Sequence, residues 1–313
     1  MQLGNTPVTN HQFCGLHFYL KRDDLLHPQF SGNKARKFLS LLEQPPQDIE
    51  KIVGYGSPQA NSLYSLAALA HLQNWHFDFY VDHIASYLKQ NPNGNYAKAL
   101  ELGARIIEVP PEWKVGTDNT ESALKRYLCE SSDVLMVEEG GRMPIAEYGI
   151  KGLANELIDW VASQTNSCED GPLESRQQWV VALPSGTGTT AFYLHKYLQP
   201  YGIEVVTTAC VGGEDYLKAQ FLQLSSTQSQ PTIWSLDTKH HFGKLYQDDF
   251  QIWTTLMAQT GVEFELLYDP LMWRVLLMHK QKLSGKNLLY IHQGGLLGNE
   301  SMLPRYQRKF ANC

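Results

Sequence analysis

The sequence predicts an α/β protein of doubly wound architecture. Three observations carry that expectation. Short apolar, strand-like runs alternate with segments of helical apolar spacing. Glycine-containing turns recur where a strand gives way to a helix. At 313 residues the chain has the length for two domains or one large α/β unit.

Composition narrows the class. A hydrophobic content of 43% and a charged content of 19% are those of a globular protein. The net charge of −6 argues against a general nucleic-acid binder. The longest apolar helix-like run, residues 63–72, is too short and too interrupted to span a bilayer. The opening residues, polar and broken by Pro7, do not read as a signal peptide. Five cysteines (Cys14, Cys129, Cys168, Cys210, Cys313) are scattered, odd in number and without CxxC spacing. They suggest reduced thiols in a cytoplasmic protein, with no disulfide framework and no metal site.

Taken in order, residues 20–38 (LKRDDLLHPQFSGNKARKF) gather five cationic groups: Lys21, Arg22, Lys34, Arg36 and Lys37. A helix from about Asn33 carries Ala35, Phe38, Leu39, Leu41 and Leu42 as its apolar positions. Lys34 then falls in the first turn, where helix N-termini favour anions. The same position lowers the cost of losing its proton, and carbonyl chemistry requires a neutral amine. From these residues alone a solvated basic face on an ordinary helix remains open. Pro45-Pro46 stops the helix. Strands are expected at 51–56, 77–81, 105–109 and 133–137, with helices at 61–72 and 96–102. In the second half, helices are expected at 150–161, 191–198, 215–223, 249–259 and 271–283. Strands are expected there at 179–183, 204–211, 263–267 and 287–292. The polar stretches 163–178 and 225–231 read as surface loops.

The second informative stretch is Leu183-Pro184-Ser185-Gly186-Thr187-Gly188-Thr189-Thr190-Ala191. A hydrophobic strand feeds small residues that let backbone approach an anion, and a helix N-terminus then presents free N–H groups. Thr187, Thr189 and Thr190 add hydroxyl donors, which suits a phosphate monoester. A plain strand-to-helix turn stays open on this loop alone. The dinucleotide pattern GxGxxG is absent because Ala191 stands at its third glycine, and there is no Walker lysine.

KRDDL followed by SGNKARKF resembles the KREDL…GGNKxRKLE pattern of the 1-aminocyclopropane-1-carboxylate deaminase and D-cysteine desulfhydrase family. Further resemblances follow in the family's order. They are Gly94-Asn95…Leu102-Gly103-Ala104, Glu139-Gly140-Gly141…Tyr148-Gly149 with Glu156 beyond, the 185–191 loop, and Tyr290-Ile291-His292-Gln293-Gly294-Gly295. His292 by itself reads as a hydrogen-bonded structural histidine ahead of a general base.

The resemblance implies a tryptophan-synthase-β-like fold of two doubly wound domains, a fold type II pyridoxal-phosphate enzyme. Residues 1–47 and 148–313 would form the larger domain, and 48–147 a smaller inserted one. It implies pyridoxal 5'-phosphate as cofactor, with Lys34 as its Schiff-base and catalytic residue. Asn61, Ser185, Gly186, Thr187, Gly188, Thr189 and Thr190 would help to bind it. Gln59, Asn61 and Ser62 would hold a small amino-acid substrate, in a homodimer that uses neither nucleic acid nor membrane. Three departures bear on mechanism. The family's serine in GGxQSN is Ala60 here. In Asp269-Pro270-Leu271-Met272-Trp273-Arg274, the family's tyrosine is Met272 and the acid or hydroxyl at the pyridine nitrogen is Trp273. These losses favour β-elimination of the D-cysteine desulfhydrase kind, giving an oxoacid and ammonia, over opening of a cyclopropane ring. Two other classes stay open: a cofactor-binding protein with little catalysis, and a nucleotide-dependent oxidoreductase using the 186–188 turn.

Overall fold

The computed structural model of the chain describes residues 3–116, 119–128, 132–165, 178–226 and 229–310. Strands β1 (Val8–Phe13) and β2 (Leu16–Lys21) form an antiparallel hairpin that leads to helix α1 (Gly32–Glu43). Then come β3 (Lys51–Tyr55), α2 (Asn61–Gln73), β4 (His76–Val81), α3 (Ser86–Gln90) and α4 (Gly94–Glu101). They are followed by β5 (Arg105–Glu108), α5 (Thr120–Leu128), β6 (Val134–Met136) and α6 (Ala146–Thr165). The next elements are β7 (Gln178–Ser185), α7 (Thr189–Leu198), β8 (Glu204–Ala209), α8 (Glu214–Leu224) and β9 (Thr232–Ile233). Helices α9 (Gln247–Thr260) and α10 (Asp269–Met278), strand β10 (Lys286–Ile291) and helix α11 (Leu297–Phe310) complete the chain.

The strands make two sheets, ordered β1-β2-β10-β7-β8-β9 and β5-β4-β3-β6. Every pair except the β1–β2 hairpin is parallel. The central strands of the larger sheet are apolar because both their faces are covered. Val180, Ala182, Leu288 and Tyr290 pack with Met272, Trp273 and Leu276 of α10 on one face. Val181, Leu183, Leu289 and Ile291 pack with Leu153, Leu157 and Leu194 of α6 and α7 on the other. Alternation along a strand thus divides one sheet between two cores. This is the doubly wound arrangement expected.

Several expectations are corrected. Residues 263–267 form no strand, because side chains take the backbone N–H groups that a ladder would use. Asp269 accepts from the Glu265 N–H at 2.9 Å, Asn299 from Leu266 at 2.7 Å, and Glu265 itself from Leu267 at 2.8 Å. Met272 and Trp273 lie in the core, fully buried, with Trp273 packed edge-on against Phe13 and Phe18 and stacked on Tyr290. The hairpin β1–β2, helices α3, α5 and α11 and the short strand β9 are not among the expected elements. The loop expected at 163–178 falls mainly outside the described residues, as do Cys129, Cys168 and Cys313, and α6 runs on to Thr165. Cys14 and Cys210 are free thiols. No described helix is long and apolar enough to cross a membrane.

The basic stretch is sorted by the fold. Arg36 meets Asp23 with two hydrogen bonds of 2.9 Å and Glu156 with bonds of 2.6 and 2.9 Å. Lys21 joins them through Glu156 at 2.6 Å and the Thr6 carbonyl at 2.7 Å. Arg22 pairs with Asp24. This buried network ties α1 to β2 and α6, and leaves Lys34 and Lys37 to face a cavity.

Candidate active site

The site is built where α1, β7 and β10 end against one another. Gly32 opens α1 at φ +66°, and a Cβ there would stand 1.9 Å from the Gln293 carbonyl oxygen, so only glycine fits. Asn33 donates its backbone N–H to that oxygen at 3.0 Å and its side-chain amide to Gln293 Oε1 at 3.0 Å. Gln293 in turn donates to the Pro184 carbonyl at 2.7 Å. One glutamine therefore fixes the start of α1, and with it Lys34, against the loop that follows β7.

A cavity of about 790 Å³ occupies the space between the two sheets. Lys34, Gln59, Asn61, Ser62, Ser185, Gly186, Thr187, Gly188, Thr189 and Thr190 all line it. These ten residues, from three separated segments, are the candidates read from the sequence. A second cavity, about 650 Å³, lies across the Gln293–Gly295 turn and shares Lys34 and Asn61.

Lys34 makes no hydrogen bond or ion pair among the described residues. Burial lowers its pKa to about 8, against the opposing pull of the Glu139 carboxylate. Roughly a tenth of the amine is thus neutral at pH 7, far more than in a hydrated lysine. Lys37, one turn on, is buried and donates to the Gly140 carbonyl at 2.9 Å. Gly140 packs against Thr187, which puts Lys37 beside the 185–190 loop.

That loop has the character of an anion cradle. Gly188 sits at φ +72°, and a Cβ there would come within 2.5 Å of Leu217 and Phe221. No side chain caps α7, so its first-turn N–H groups stay free. Thr190 Oγ1 is buried without a partner, and Thr187 and Thr189 share only a 3.2 Å contact. Ser185 differs: Thr207 donates to the Leu183 carbonyl at 2.8 Å, so the 2.7 Å contact must use the Ser185 proton. Ser185 can therefore offer the cradle its hydroxyl only as an acceptor.

On the opposite wall, Asn95 donates to Asn61 Oδ1 at 2.8 Å and turns the Asn61 amide nitrogen toward Gly295. Gln59 donates to the Asn93 carbonyl at 3.2 Å and to its side-chain oxygen at 3.1 Å, leaving Gln59 Oε1 buried and unpartnered. Its donors lace two loops together. A carboxylate here would meet the first-turn N–H groups of α2 and the Ser62 hydroxyl instead. Ala60 brings only a methyl group.

Sequence reasoning missed Lys37, Glu139, Glu265, Tyr268 and Asp269, all on the cavity wall. Met272 and Trp273 are absent from it. Tyr268 and Glu265, four and eight residues before them, put a hydroxyl and an acid on the cavity wall. Tyr268 lies 3.6 Å from where a Gly186 Cβ would be and packs on Phe242, and burial raises its pKa. His292 is structural: it accepts the Gly294 N–H at Nδ1 and contacts the Glu263 carbonyl at 2.7 Å through Nε2. Tyr246 stacks on His240 and does not reach the cavity.

No protein-family model matches the chain. The chain is 25% identical over 301 residues to a putative 1-aminocyclopropane-1-carboxylate deaminase of Thermotoga maritima, covering 91% of this chain and 90% of the relative. It is 22% identical over 324 residues to the mitochondrial bifunctional D-cysteine desulfhydrase/1-aminocyclopropane-1-carboxylate deaminase of Arabidopsis thaliana, covering 94% and 77%. The chain resembles this deaminase and desulfhydrase family. Solved structures show the same fold. A crystal structure of a homologue of the deaminase superposes with a TM-score of 0.74 at 19% identity, over 98% of this chain and 95% of that one. A hydrogen sulfide-producing enzyme of Fusobacterium nucleatum gives 0.65 at 12% identity, over 95% and 97%. O-ureido-L-serine synthase gives 0.64 at 13%, over 95% and 91%. The tryptophan-synthase-β-like fold expected from the family resemblance is therefore the fold of this chain.

Proposed function

We propose that the chain is a pyridoxal-phosphate-dependent lyase that removes the α-proton of a small amino acid and eliminates its β-substituent, as a D-cysteine desulfhydrase does. The observation that supports it is a single cavity walled at one place by a lysine of lowered pKa and at another by an uncapped, hydroxyl-rich helix N-terminus. The unpartnered Thr190 hydroxyl, the free N–H groups of α7 and the nearby Lys37 side chain, a buried amine that an anion would help to protonate, fit a phosphate monoester. When bound, pyridoxal phosphate supplies the electron sink for charge developing at the α-carbon.

The protein's own part is binding, orientation and proton transfer. Lys34 would hold the cofactor and, once the substrate amine has taken its place, would be the base that moves the α-proton. Asn61 would steady the ring, while the start of α2 and Ser62 would hold the carboxylate. Tyr268 keeps its proton and can offer it to a departing group. The division at residues 48–147, a homodimer and a cytoplasmic setting belong to the same reading. The resemblance supports the first two and the unpaired cysteine pattern the third.

Purified protein supplied with the cofactor should gain visible absorption, and D-cysteine should release sulfide, pyruvate and ammonia. Lys34→Ala should abolish borohydride trapping of cofactor on the chain. Turnover of 1-aminocyclopropane-1-carboxylate should be lower by about 10²–10³, because Ala60 supplies no donor to developing charge. Robust ring opening by the unmodified chain would instead favour the cyclopropane deaminase. Binding without turnover of any amino acid would favour the cofactor-binding protein.

A further inference from the structure

Four acids stand on the cavity wall: Glu139, Glu265, Asp269 and Glu300. Besides Glu265, two are hydrogen-bonded within the protein. Glu300 accepts the Gly94 N–H at 3.1 Å. Asp269 accepts the Tyr290 hydroxyl at 2.6 Å through one oxygen and the Glu265 N–H at 2.9 Å through the other. The Glu139 carboxylate makes no hydrogen bond or ion pair of its own among the described residues, but it is exposed and has the Arg142 and Lys34 charges near it.

Glu265 is different. It is 3% exposed, and Oε2 is clamped by two backbone N–H groups, Leu267 at 2.8 Å and Tyr268 at 2.7 Å. Oε1 has no hydrogen-bond partner and lies 3.1 Å from where a Gly298 Cβ would stand, beside the Asn61 side chain. No cation lies within ion-pair distance of it among the described residues, and its charged neighbour is another acid, Asp269. A carboxyl held rigidly by one oxygen, with the other facing a cavity, costs several kcal/mol of desolvation when ionised and unpaired, by the usual magnitudes for buried ions. Such a group is accounted for if a ligand brings the missing donor.

The cofactor of the proposed function has a basic ring atom that neither Lys34 nor the phosphate cradle engages, its nitrogen. In the pyridine ring that nitrogen lies para to the carbon that bears the aldehyde Lys34 would engage. Lys34 and Glu265 occupy separate places on the wall, and the Lys34 charge is not among the influences on the Glu265 carboxyl.

We propose that Glu265 binds the ring nitrogen of the cofactor through Oε1 and keeps that nitrogen protonated. This rests on the cofactor reading above. It assigns to a loop before α10 the acid that the sequence pattern places at Trp273, which is buried in the core. The two clamping N–H groups fix the carboxyl before the ring arrives, so little ordering is left to do on binding.

The test uses the full chain loaded with pyridoxal phosphate labelled with ¹⁵N in the ring. Bound to the wild-type protein, the nitrogen should show the upfield shift of a pyridinium. In Glu265→Gln, Oε1 of the amide still takes the two backbone N–H groups while Nε2 becomes a donor, so the ring nitrogen should move downfield to neutral pyridine. The 1-deaza analogue, with CH in place of the ring nitrogen, gives a second arm on unaltered protein. It should bind about 10–100-fold more weakly than the cofactor, as expected for a charge-assisted hydrogen bond. A neutral ring nitrogen in wild-type protein, equal shifts in both proteins, or equal affinity for cofactor and analogue overturns the assignment of Glu265 alone. A wild-type chain that takes up no cofactor overturns the function reading and this inference with it.

Discussion

A lysine that loses half its charge near pH 8 is destabilising until it reacts. In the unfolded chain Lys34 titrates near 10.5, and in the fold near 8, because burial disfavours the ammonium. The folded state therefore binds fewer protons between these values, and stability rises with pH across that window. Below about 8 the penalty is fully present. Lys34→Met should accordingly stabilise the cofactor-free protein at pH 7 by roughly 1–3 kcal/mol, and by nothing above pH 10.5. Urea denaturation at the two pH values checks this. Cofactor uptake by the wild type should speed up with pH, with a midpoint near 8. A midpoint above 10 would mean that Lys34 stays fully hydrated. Ala60 is the second decisive position. Ala60→Ser places a hydroxyl beside Gln59 and Asn61 on the cavity wall. Steady-state assays should show faster elimination from D-cysteine and β-chloroalanine, by up to about 10²-fold if the hydroxyl meets developing charge. An unchanged rate would remove position 60 from the chemistry.

At the level of elements, the turn after β7 and the basic network under α1 make opposite demands. Gly188→Val forces a branched side chain into φ +72° and against Leu217 and Phe221. Fluorescence titration should show cofactor affinity down by more than about tenfold, or ~1.4 kcal/mol. Unchanged affinity would take the loop out of the site. Arg36→Leu leaves Asp23 and Glu156 without their shared cation, and should cost about 3–5 kcal/mol in denaturant unfolding. A loss under ~1 kcal/mol would mean that water replaces the guanidinium. These elements also show what a sequence can disclose. Strands 179–183 and 287–292 were legible because burial on both faces makes them continuously apolar. The 185–190 cradle was legible because few residue types let backbone approach an anion. The β1–β2 hairpin was not, since its outer strand is largely solvated and reads VTNHQF. Helix α11 was hidden by Pro304 and its polar face. Residues 263–267 look like a strand in composition, and only Asn299, Asp269 and Glu265 itself divert the N–H groups. For the same reason Glu265 and Tyr268 could not be read as site residues.

The whole molecule depends on a strand that comes late. β10 lies at the centre of the larger sheet, with Leu289 opposite Tyr19 of β2 and Val181 of β7. The turn just after it supplies Gln293, which couples α1 to the cradle. During synthesis, then, β2 and β7 must wait with unpaired edges until residues 286–291 leave the ribosome. Pairings so distant along the chain are slow to close, and open edges invite association. A chain halted at residue 285 should aggregate or remain bound to chaperones and should take up no cofactor, as light scattering and absorbance would record. A monodisperse, cofactor-binding fragment of that length would contradict this. The enzyme-like cavity is thus among the last features the nascent chain can form, and its appearance reports that the larger sheet has closed.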